Sequence, residues 1–340
     1  MSETVVPSID VVIPVYNAPV LTRRCIDSVV SCLGKSIENI YIQNDASNTE
    51  TREMLNSLPY DIIHIYHAIK NQGFGASVND AVSRSSASYI LVLNSDTEIN
   101  GNILPPLCEA MSVDSQLAVV IPASNDYVGE DFDRYLRQPG SYIRTYRLRG
   151  YAFLIRRSIF QEIGGFDPIF GRGYYEDIDL GRRIYERNWR IGVYPDSLIY
   201  HKGGASFGRG SAYRKLKQRN RALYFSRYPS AQRNVLFLSG VCSLSDFPQN
   251  LLNAIDDVYQ RGGVLHWFST EAVTKSPCLH MRNRPASLWV VLKLMIFYGW
   301  SRKDKRISDV WLLLPSNSSF LCKSLALLSK MRGIKILAWG

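Results

Sequence analysis

Apolar and polar positions follow strand and helix periods in turn over the first hundred residues. The stretches 9–17, 39–45 and 61–67 each contain a short apolar run of strand length, and the apolar run within 88–96 is typical of a strand buried on both faces. Apolar residues at helical spacing lie between the first two runs, at Leu21, Cys25, Ile26, Val29, Val30 and Leu33. This βαβαβαβ order predicts an α/β fold with a mainly parallel sheet.

Short segments with possible ligand-binding residues follow three of these predicted strands at the point where each strand ends. They are residues 14–17, Asn44 and Asp45, and residues 94–96. Because ligands bind at the carboxyl ends of parallel strands, we expect the three groups to converge on one edge of the sheet. No Gly-x-Gly-x-x-Gly motif follows the first strand, so the fingerprint of a dinucleotide site is absent.

The pattern is less regular beyond residue 100. Residues 117–124 and 150–160 are predicted as strands, and residues 189–208 as strand, turn and strand. A glycine- and aromatic-rich loop precedes a helix predicted from residue 176, whose first turn carries Glu176, Asp177 and Asp179.

A new strand–helix alternation starts near residue 232, which predicts a second α/β domain. We therefore divide the chain into residues 1–230 and residues 231–340, the latter being a partial Rossmann-like domain or an extension packed on the first. The chain stops directly after an apolar strand, and we expect a longer protein to continue the unfinished sheet. The apolar stretch 287–300 is too short to span a membrane and is interrupted by Lys293, so it is either a buried helix or an interfacial membrane helix.

Composition points to an ordinary globular protein with an anionic partner. Hydrophobic residues make up 46% and charged residues 21%, and the six cysteines are scattered, as expected of a reducing cytoplasm. The N-terminus has no signal-peptide pattern. The net charge is +10, and the stretch between Asp196 and Asp246 has no acidic residue. Its basic residues are Lys202, Arg209, Arg214, Lys215, Lys217, Arg219, Arg221, Arg227 and Arg233. No nucleic-acid motif accompanies them, so a diphosphate or a membrane surface is the better partner.

Three separated elements have residue types suited to chemistry. Asp96, just past a buried strand, suits Mg²⁺ or Mn²⁺ shared with a diphosphate, although an aspartate there also caps turns. His201 follows another predicted strand and is either a metal ligand or a structural histidine. The acids at the predicted helix start either cap the helix or supply a general base in a pocket desolvated by Phe166, Phe170, Tyr174 and Tyr175.

Six stretches in order carry a family resemblance. They are "VVIPVYN" (11–17), "QNDASNTET" (43–51), "NQGFGASVNDAV" (71–82), "LVLNSDTEI" (91–99), "GYAFLIRRSIFQEIGGFDPIFGRGYYEDIDLGRRI" (150–184) and "YHKGGASFG" (200–208). Over roughly residues 8–230 the chain resembles the family 2 glycosyltransferases of GT-A fold, in particular their bacterial rhamnosyltransferase-like branch. Residues 231–340 resemble the N-terminal half of a GT-B-like glycosyltransferase domain.

The resemblance implies roles for individual residues. The positions that it places around the nucleotide and the sugar are Pro14, Tyr16, Asn17, Asp45, Asn71, Gly73, Phe74, Asn79, Asn94, Ser95, Arg156 and Glu176. Within this set, Asp45 is expected at the base or ribose and Arg156 at the phosphates. Asp96 is implied as the metal-binding aspartate, His201 as a further metal ligand and Asp177 as the catalytic base. Asn94 departs from the family pattern, which has a first aspartate in its DXD-like motif.

The implied activity is an inverting, metal-dependent sugar transfer. The donor is expected to be dTDP-rhamnose, or a UDP-hexose as the alternative, with Mg²⁺ or Mn²⁺ as cofactor. The acceptor is a hydroxyl of a growing surface polysaccharide or lipid-linked oligosaccharide, which implies a cytoplasmic protein peripheral to the inner membrane face. A non-catalytic scaffold domain is a second alternative. Nucleotidyl transfer is disfavoured because the segment after the first strand lacks glycines.

Overall fold

The computed structural model describes residues 7–203, 210–240, 243–269, 275–281, 283–285, 287, 293, 306–313 and 334–339. The strands within these ranges are β1 Ile9–Val15, β2 Ile40–Asn44, β3 Ile63–His67, β4 Tyr89–Leu93, β5 Thr97–Ile99, β6 Leu117–Ser124, β7 Ile143–Thr145, β8 Ala152–Arg156, β9 Arg190–His201, β10 Asn234–Ser239, β11 Val264–Ser269, β12 Asn283–Pro285, β13 Asp309–Leu313 and β14 Lys335–Ala338. The helices are α1 Pro19–Leu33, α2 Thr49–Asn56, α3 Phe74–Val82, α4 Leu104–Val113, α5 Arg157–Glu162, α6 Glu176–Glu186, α7 Ser211–Arg227 and α8 Gln249–Gln260.

The described residues form two compact units. The first comprises residues 1–130 and 137–222, and the second comprises residues 131–136 and 223–340. Each unit has its own sheet and its own buried apolar core. The division at residue 230 stays a prediction, because the second unit also takes in the short segment 131–136.

The first sheet has the strand order β3-β2-β1-β4-β8-β6-β9-β5, with β7 paired to β9. The first four strands are parallel, whereas β8 is antiparallel to both of its neighbours. β1 is buried at every position because strands flank it on both sides and α3 packs against it. The predicted α/β fold with a mixed, mainly parallel sheet is confirmed.

Two local predictions are wrong. The strand predicted over 150–160 ends at Arg156, and α5 begins at Arg157. Arg156 pairs with Tyr89, the first residue of β4, so the β4–β8 pairing ends there. The strand–turn–strand predicted over 189–208 is one strand within the described residues, β9. Its register against β6 jumps from Tyr194 to Leu198, so the polar residues between them form a bulge instead of a reversal.

The second sheet is parallel throughout, in the order β12-β11-β10-β13-β14. The chain runs outward from β10 first on one side and then on the other, as in a doubly wound fold. This agrees with the predicted second α/β region. The apolar stretch 287–300 lies outside the described residues except for its positions 287 and 293. No helix in the described part of the chain combines the length and apolar character needed to cross a bilayer.

Candidate active site

A cavity opens where the strands of the first sheet end. β2, β1 and β4 are parallel neighbours, so the residues that follow them share one edge of the sheet, as predicted. The cavity has a volume of about 440 Å³. Its walls are formed by Pro14, Val15, Tyr16, Asp45, Asn71, Gly73, Phe74, Ser77, Asn94, Ser95, Asp96, Arg172, Tyr174, Ala212, Tyr213 and Leu216.

Asp45 fixes the segment that leads into α3. Its two carboxylate oxygens accept hydrogen bonds from the backbone amides of Gln72 (2.7 Å) and Gly73 (2.8 Å). The Asn71 amide group also donates to the Asp45 carbonyl, at 3.4 Å. Asp45 is buried, so these bonds satisfy a carboxylate that water does not reach. These contacts therefore hold the cavity-wall segment 71–73 in place.

Gly73 brings the α3 segment against the loop that precedes α6. Its φ of 94° lies in the region that favours glycine. A Cβ at this position would collide with the carbonyl oxygen of Gly171 and come within 2.5 Å of the Arg172 Cα. The two segments can therefore approach each other this closely only because residue 73 has no side chain.

Asp96 and His201 lie side by side at the cavity edge. Thr97 pairs with His201 in the β5–β9 ladder, and the His201 Nε2 lies 3.5 Å from the Asp96 Oδ1. The other ring nitrogen, Nδ1, lies 3.1 Å from the Asp126 Oδ2, and the ring stacks on Tyr151. Burial lowers the pKa of His201, but the hydrogen bonds and charges of Asp96 and Asp126 outweigh it and raise the pKa above its ordinary value.

These side chains fit two ligands of a divalent cation. An aspartate oxygen and an imidazole nitrogen are both ligands that Mn²⁺ accepts, and two protein ligands suit an ion that shares its coordination with a diphosphate. Asp96 is the cavity-lining member of the pair. The described residues contain no group of three or more His, Cys, Asp or Glu side chains arranged to hold a metal. A cation here would need ligands from the substrate.

The three acids of the opening turn of α6 have different surroundings. Asp179 is completely buried and forms an ion pair with Arg183 at 2.7 Å, so its role is structural. Asp177 is half-buried, and its Oδ1 accepts the amide of Ile178 at 2.8 Å. Glu176 is 8% exposed, and its Oε2 is buried without a hydrogen-bond partner.

Burial changes the acidity of the adjacent pair. Desolvation, and then the charge of Asp177, raise the pKa of Glu176 to about 8. Desolvation also raises the pKa of Asp177, although the amides of Ile178 and Gly150 and the charge of Arg149 act in the opposite direction. Both carboxyl groups therefore hold protons more strongly than exposed carboxyl groups do.

The segment Gly150–Tyr151 links the acidic pair to the Asp96 edge. A Cβ on Gly150 would lie 3.6 Å from the Asp177 Cβ and 3.7 Å from the Phe74 ring, so Gly150 lies between Asp177 and this residue of the cavity wall. Next along the chain, the Tyr151 carbonyl accepts the Asn94 amide at 2.8 Å, and its ring contacts His201. Asp96 and His201 are neighbours, whereas Asp177 is connected to them only through this segment. Asp96 lines the cavity but His201, Glu176 and Asp177 do not, so the roles of these residues around it stay predictions.

Other predicted residues lie outside the cavity wall. Asn17 Oδ1 accepts the amide of Asn48, and Asn79 bonds both the amide and the carbonyl of Phe166. Arg156 lies at the opposite edge of the sheet, because β8 runs antiparallel to β4. Its guanidinium donates to the carbonyls of Leu117 and Met111 and to the Tyr89 hydroxyl, so the structure does not bring it to the cavity.

The aromatic loop and α7 contribute wall residues that the sequence did not reveal. Phe166 and Phe170, expected to flank the acids, are fully buried core residues, whereas Tyr174 lines the cavity. The residues missed by the sequence analysis are Val15, Ser77, Arg172, Ala212, Tyr213 and Leu216. Only the basic character of Arg172 and of the stretch 209–221 was a usable signal for them.

Comparison with a family model assigns this region. Residues 10–172 match the family described as Glycosyl transferase family 2. This match covers slightly less than half of the chain's length. The matched range covers the strand-end walls of the cavity and ends before α6 and α7.

Several curated relatives are described as glycosyltransferases, and each matches only part of the chain. The probable glycosyltransferase YdaM of Bacillus subtilis is 24% identical over 216 residues, which cover 58% of this chain and 51% of that protein. The N-acetylglucosaminyl-diphospho-decaprenol L-rhamnosyltransferase of Mycobacterium tuberculosis is 38% identical over 65 residues, covering 19% of this chain and 21% of that protein. The chain thus covers about half of the first relative's length and about a fifth of the second's.

A solved structure has the same fold. GalNAc-T7, crystallised with UDP, GalNAc and Mn²⁺, is similar with a TM-score of 0.54 and 16% identity, over 67% of this chain and 50% of that chain. At this identity the likeness establishes the fold alone, which is the predicted GT-A fold.

Proposed function

We propose that the first unit, built around the family 2 domain in residues 10–172, is an inverting glycosyltransferase that uses a nucleoside-diphosphate sugar. One observation carries the proposal: Asp96, which lines the cavity, lies beside His201, and the segment Gly150–Tyr151 connects this pair to Asp177. Phosphate-bearing donors need a cation or basic groups, and acceptors need a base. Asp96 lines this cavity, and Asp177 lies behind Gly150, next to the wall residue Phe74.

The proposed mechanism assigns a step to each group. The nucleotide would occupy the strand-end wall around Tyr16 and Asp45, and Asp96 and His201 would hold a divalent cation. The cation, when bound, stabilises the negative charge that develops on the leaving diphosphate. Asp177 accepts the proton of the acceptor hydroxyl as its oxygen attacks the anomeric carbon from the face opposite the leaving group. One displacement of this kind inverts the configuration.

The sugar and the acceptor are the finer part of the proposal. dTDP-rhamnose is supported by the short match to the rhamnosyltransferase of Mycobacterium tuberculosis, and a UDP-hexose by the UDP in the GalNAc-T7 structure. We propose a glycan or lipid-linked acceptor at the inner membrane face, since Arg214, Lys215 and Lys217 are exposed along α7. A non-catalytic scaffold remains the alternative activity class.

The second unit is proposed to be the N-terminal half of a GT-B-like domain. The support is its parallel sheet in doubly wound order. Because the donor sites of such domains lie between two halves, we assign the sugar transfer to the first unit alone.

A donor panel tests the proposed activity. The protein is incubated with dTDP-rhamnose, UDP-glucose and UDP-N-acetylglucosamine, each with Mn²⁺, Mg²⁺ or EDTA, and nucleotide release and transfer are followed. We expect one donor to be consumed, the cation to be required, and Asp177→Asn to bind nucleotide but transfer about 10²–10⁴-fold more slowly. Glu109→Gln, an exposed carboxyl on α4, is the control. Equal rates for Asp177→Asn and wild type would remove Asp177 as the base, and no binding of any donor would favour the scaffold.

A further inference from the structure

The loop just before α6 has an unusual backbone at bulky residues. Tyr174 and Tyr175 have φ values of 71° and 74°, in the left-handed region that side chains disfavour. Tyr175 is also the N-cap of α6, and its side chain makes no capping hydrogen bond. Such a backbone persists only where the surrounding structure fixes it. The residue that fixes this backbone also affects Asp177, which follows Tyr175 by two positions.

Asn220 on α7 provides this restraint. Its side-chain amide nitrogen lies 2.7 Å from the carbonyl oxygen of Phe170, 2.7 Å from that of Gly173 and 3.0 Å from that of Tyr174. Asn220 has no exposed surface, so these bonds form away from water, where they are strong and costly to lose. The two N–H donors of this buried side chain are thus shared among three carbonyls within five consecutive residues.

Neighbouring residues of α7 orient this amide and extend the contact. Arg219 donates to the Asn220 Oδ1 at 2.7 Å and to the Ile169 carbonyl at 3.1 Å, which directs the Asn220 nitrogen toward the loop. Tyr213 packs edge-to-face on Tyr174 with ring centroids 4.8 Å apart. The same face of α7 therefore holds the loop and lines the cavity.

We propose that Asn220 is a positioning residue that sets the start of α6 and, through it, the carboxyl of Asp177 for proton transfer. The proposal rests on the proposed function. It also assigns α7, which lies beyond the matched range 10–172, to the catalytic unit. A displacement of about 1 Å in a reacting group can slow a reaction by about 10²-fold, so a loosened loop is expected to lower the rate of transfer more than nucleotide binding.

Asn220→Asp tests the proposal, with Gln218→Glu as the matched control. Asn220→Asp keeps the shape of the side chain, removes its donors and directs a carboxylate at three carbonyl oxygens. Gln218→Glu adds the same charge at an exposed position of the same helix. With the donor found in the panel, we expect kcat to fall about 10–100-fold in Asn220→Asp while the Kd of the free nucleoside diphosphate changes less than about threefold. Gln218→Glu is expected to match the wild type.

Hydrogen exchange gives a readout that does not depend on turnover. Peptides covering residues 170–177 are expected to exchange faster in Asn220→Asp than in Gln218→Glu, whereas peptides of β1 and β4 are unchanged. Arg219→Met, with Arg24→Met at an exposed position of α1 as its control, tests the same restraint from an exposed position if Asn220→Asp does not fold. Arg219→Met is expected to show a smaller loss of kcat, again with a nearly unchanged nucleotide Kd.

The outcomes separate the two proposals. A wild-type protein that turns over no nucleotide sugar contradicts the proposed function. An active wild type with equal kcat in the Asn220 or Arg219 variant and its control overturns the positioning role. A loss confined to nucleotide affinity overturns it as well, since the loop would then serve the donor alone.

Discussion

Replacement of Glu176 by glutamine tests the electrostatics of the acidic pair most directly. Glu176 is 8% exposed with a pKa of about 8, against 4.5 for an ordinary glutamate. Between these two pH values the folded protein keeps a proton that the unfolded chain releases. The free energy of unfolding therefore falls by about 1.4 kcal/mol per pH unit across this range, because the folded-state pKa of an acid is raised.

Glutamine has nearly the same shape but cannot ionise, so Glu176→Gln removes this pH dependence. The stabilisation relative to wild type is expected to be about 1 kcal/mol at pH 5 and about 3 kcal/mol at pH 7. A new buried amide without a partner costs about 1–3 kcal/mol at every pH, which changes the offset but not the slope. The slope is therefore the quantity that the prediction concerns.

The assay is urea unfolding of wild type, Glu176→Gln and Glu109→Gln at pH 5, 6, 7 and 8. Glu109 is exposed on α4, so its variant controls for the loss of one carboxylate. We expect the difference between Glu176→Gln and wild type to grow steadily with pH, and the Glu109→Gln difference to stay nearly constant. A Glu176→Gln difference that is the same at pH 5 and pH 8 would refute the raised pKa and the burial argument behind it.

Three further predictions concern the site and its surroundings. Arg156→Met should lower the free energy of unfolding by about 1–3 kcal/mol, since three hydrogen bonds are lost. Nucleotide affinity measured by calorimetry should stay within about twofold of the wild type. A tenfold loss of affinity would instead support a phosphate-binding role for Arg156. Gly73→Ala should weaken nucleotide binding and destabilise the protein by at least about 1 kcal/mol, because the new Cβ meets the loop backbone. In the control Gly101→Ala the new Cβ meets nothing within 4 Å, so neither property should change. Equal behaviour of the two variants would contradict the close approach of Gly73 to residues 171–172. The rate of transfer should fall as the pH drops through the raised pKa of Asp177. When kcat is measured from pH 4 to 9, the acidic limb of the profile should therefore lie above the ordinary aspartate range. A limb at or below that range would show that burial does not control the base.

The sequence allowed the first half of the sheet and its functional edge to be predicted, because that half is built from local patterns. β1 to β4 are separate apolar runs, and parallel connection places their carboxyl ends together. Asp45 and Asp96 were therefore expected at one edge and are found there. The remaining strands pair out of chain order, in the sequence β4-β8-β6-β9, and periodicity carries no information about such pairing.

Arg156 shows the consequence of that limit. A basic residue at the end of a predicted strand suggests a ligand contact only if the strand runs parallel to its neighbours. β8 is antiparallel to β4, so its last residue lies at the edge away from the cavity. The contribution of α7 could not be predicted for a related reason. Asn220 contacts the carbonyl of Phe170, 50 positions earlier in the sequence, and Tyr213 packs on Tyr174 of the same loop. Contacts of this kind depend on tertiary packing.

The acidic pair resolves a difficulty raised by the position of the proposed base. A carboxylate at a helix N-terminus is stabilised by the helix dipole and is therefore a weak base. In the folded protein, burial outweighs the amides of Ile178 and Gly150, so the pKa of Asp177 is raised and its basicity is increased. Glu176, with the more deeply buried side chain and a pKa of about 8, retains its proton near neutral pH. A protonated Glu176 adds no negative charge beside Asp177, which is compatible with the proposed role of Asp177 as the proton acceptor.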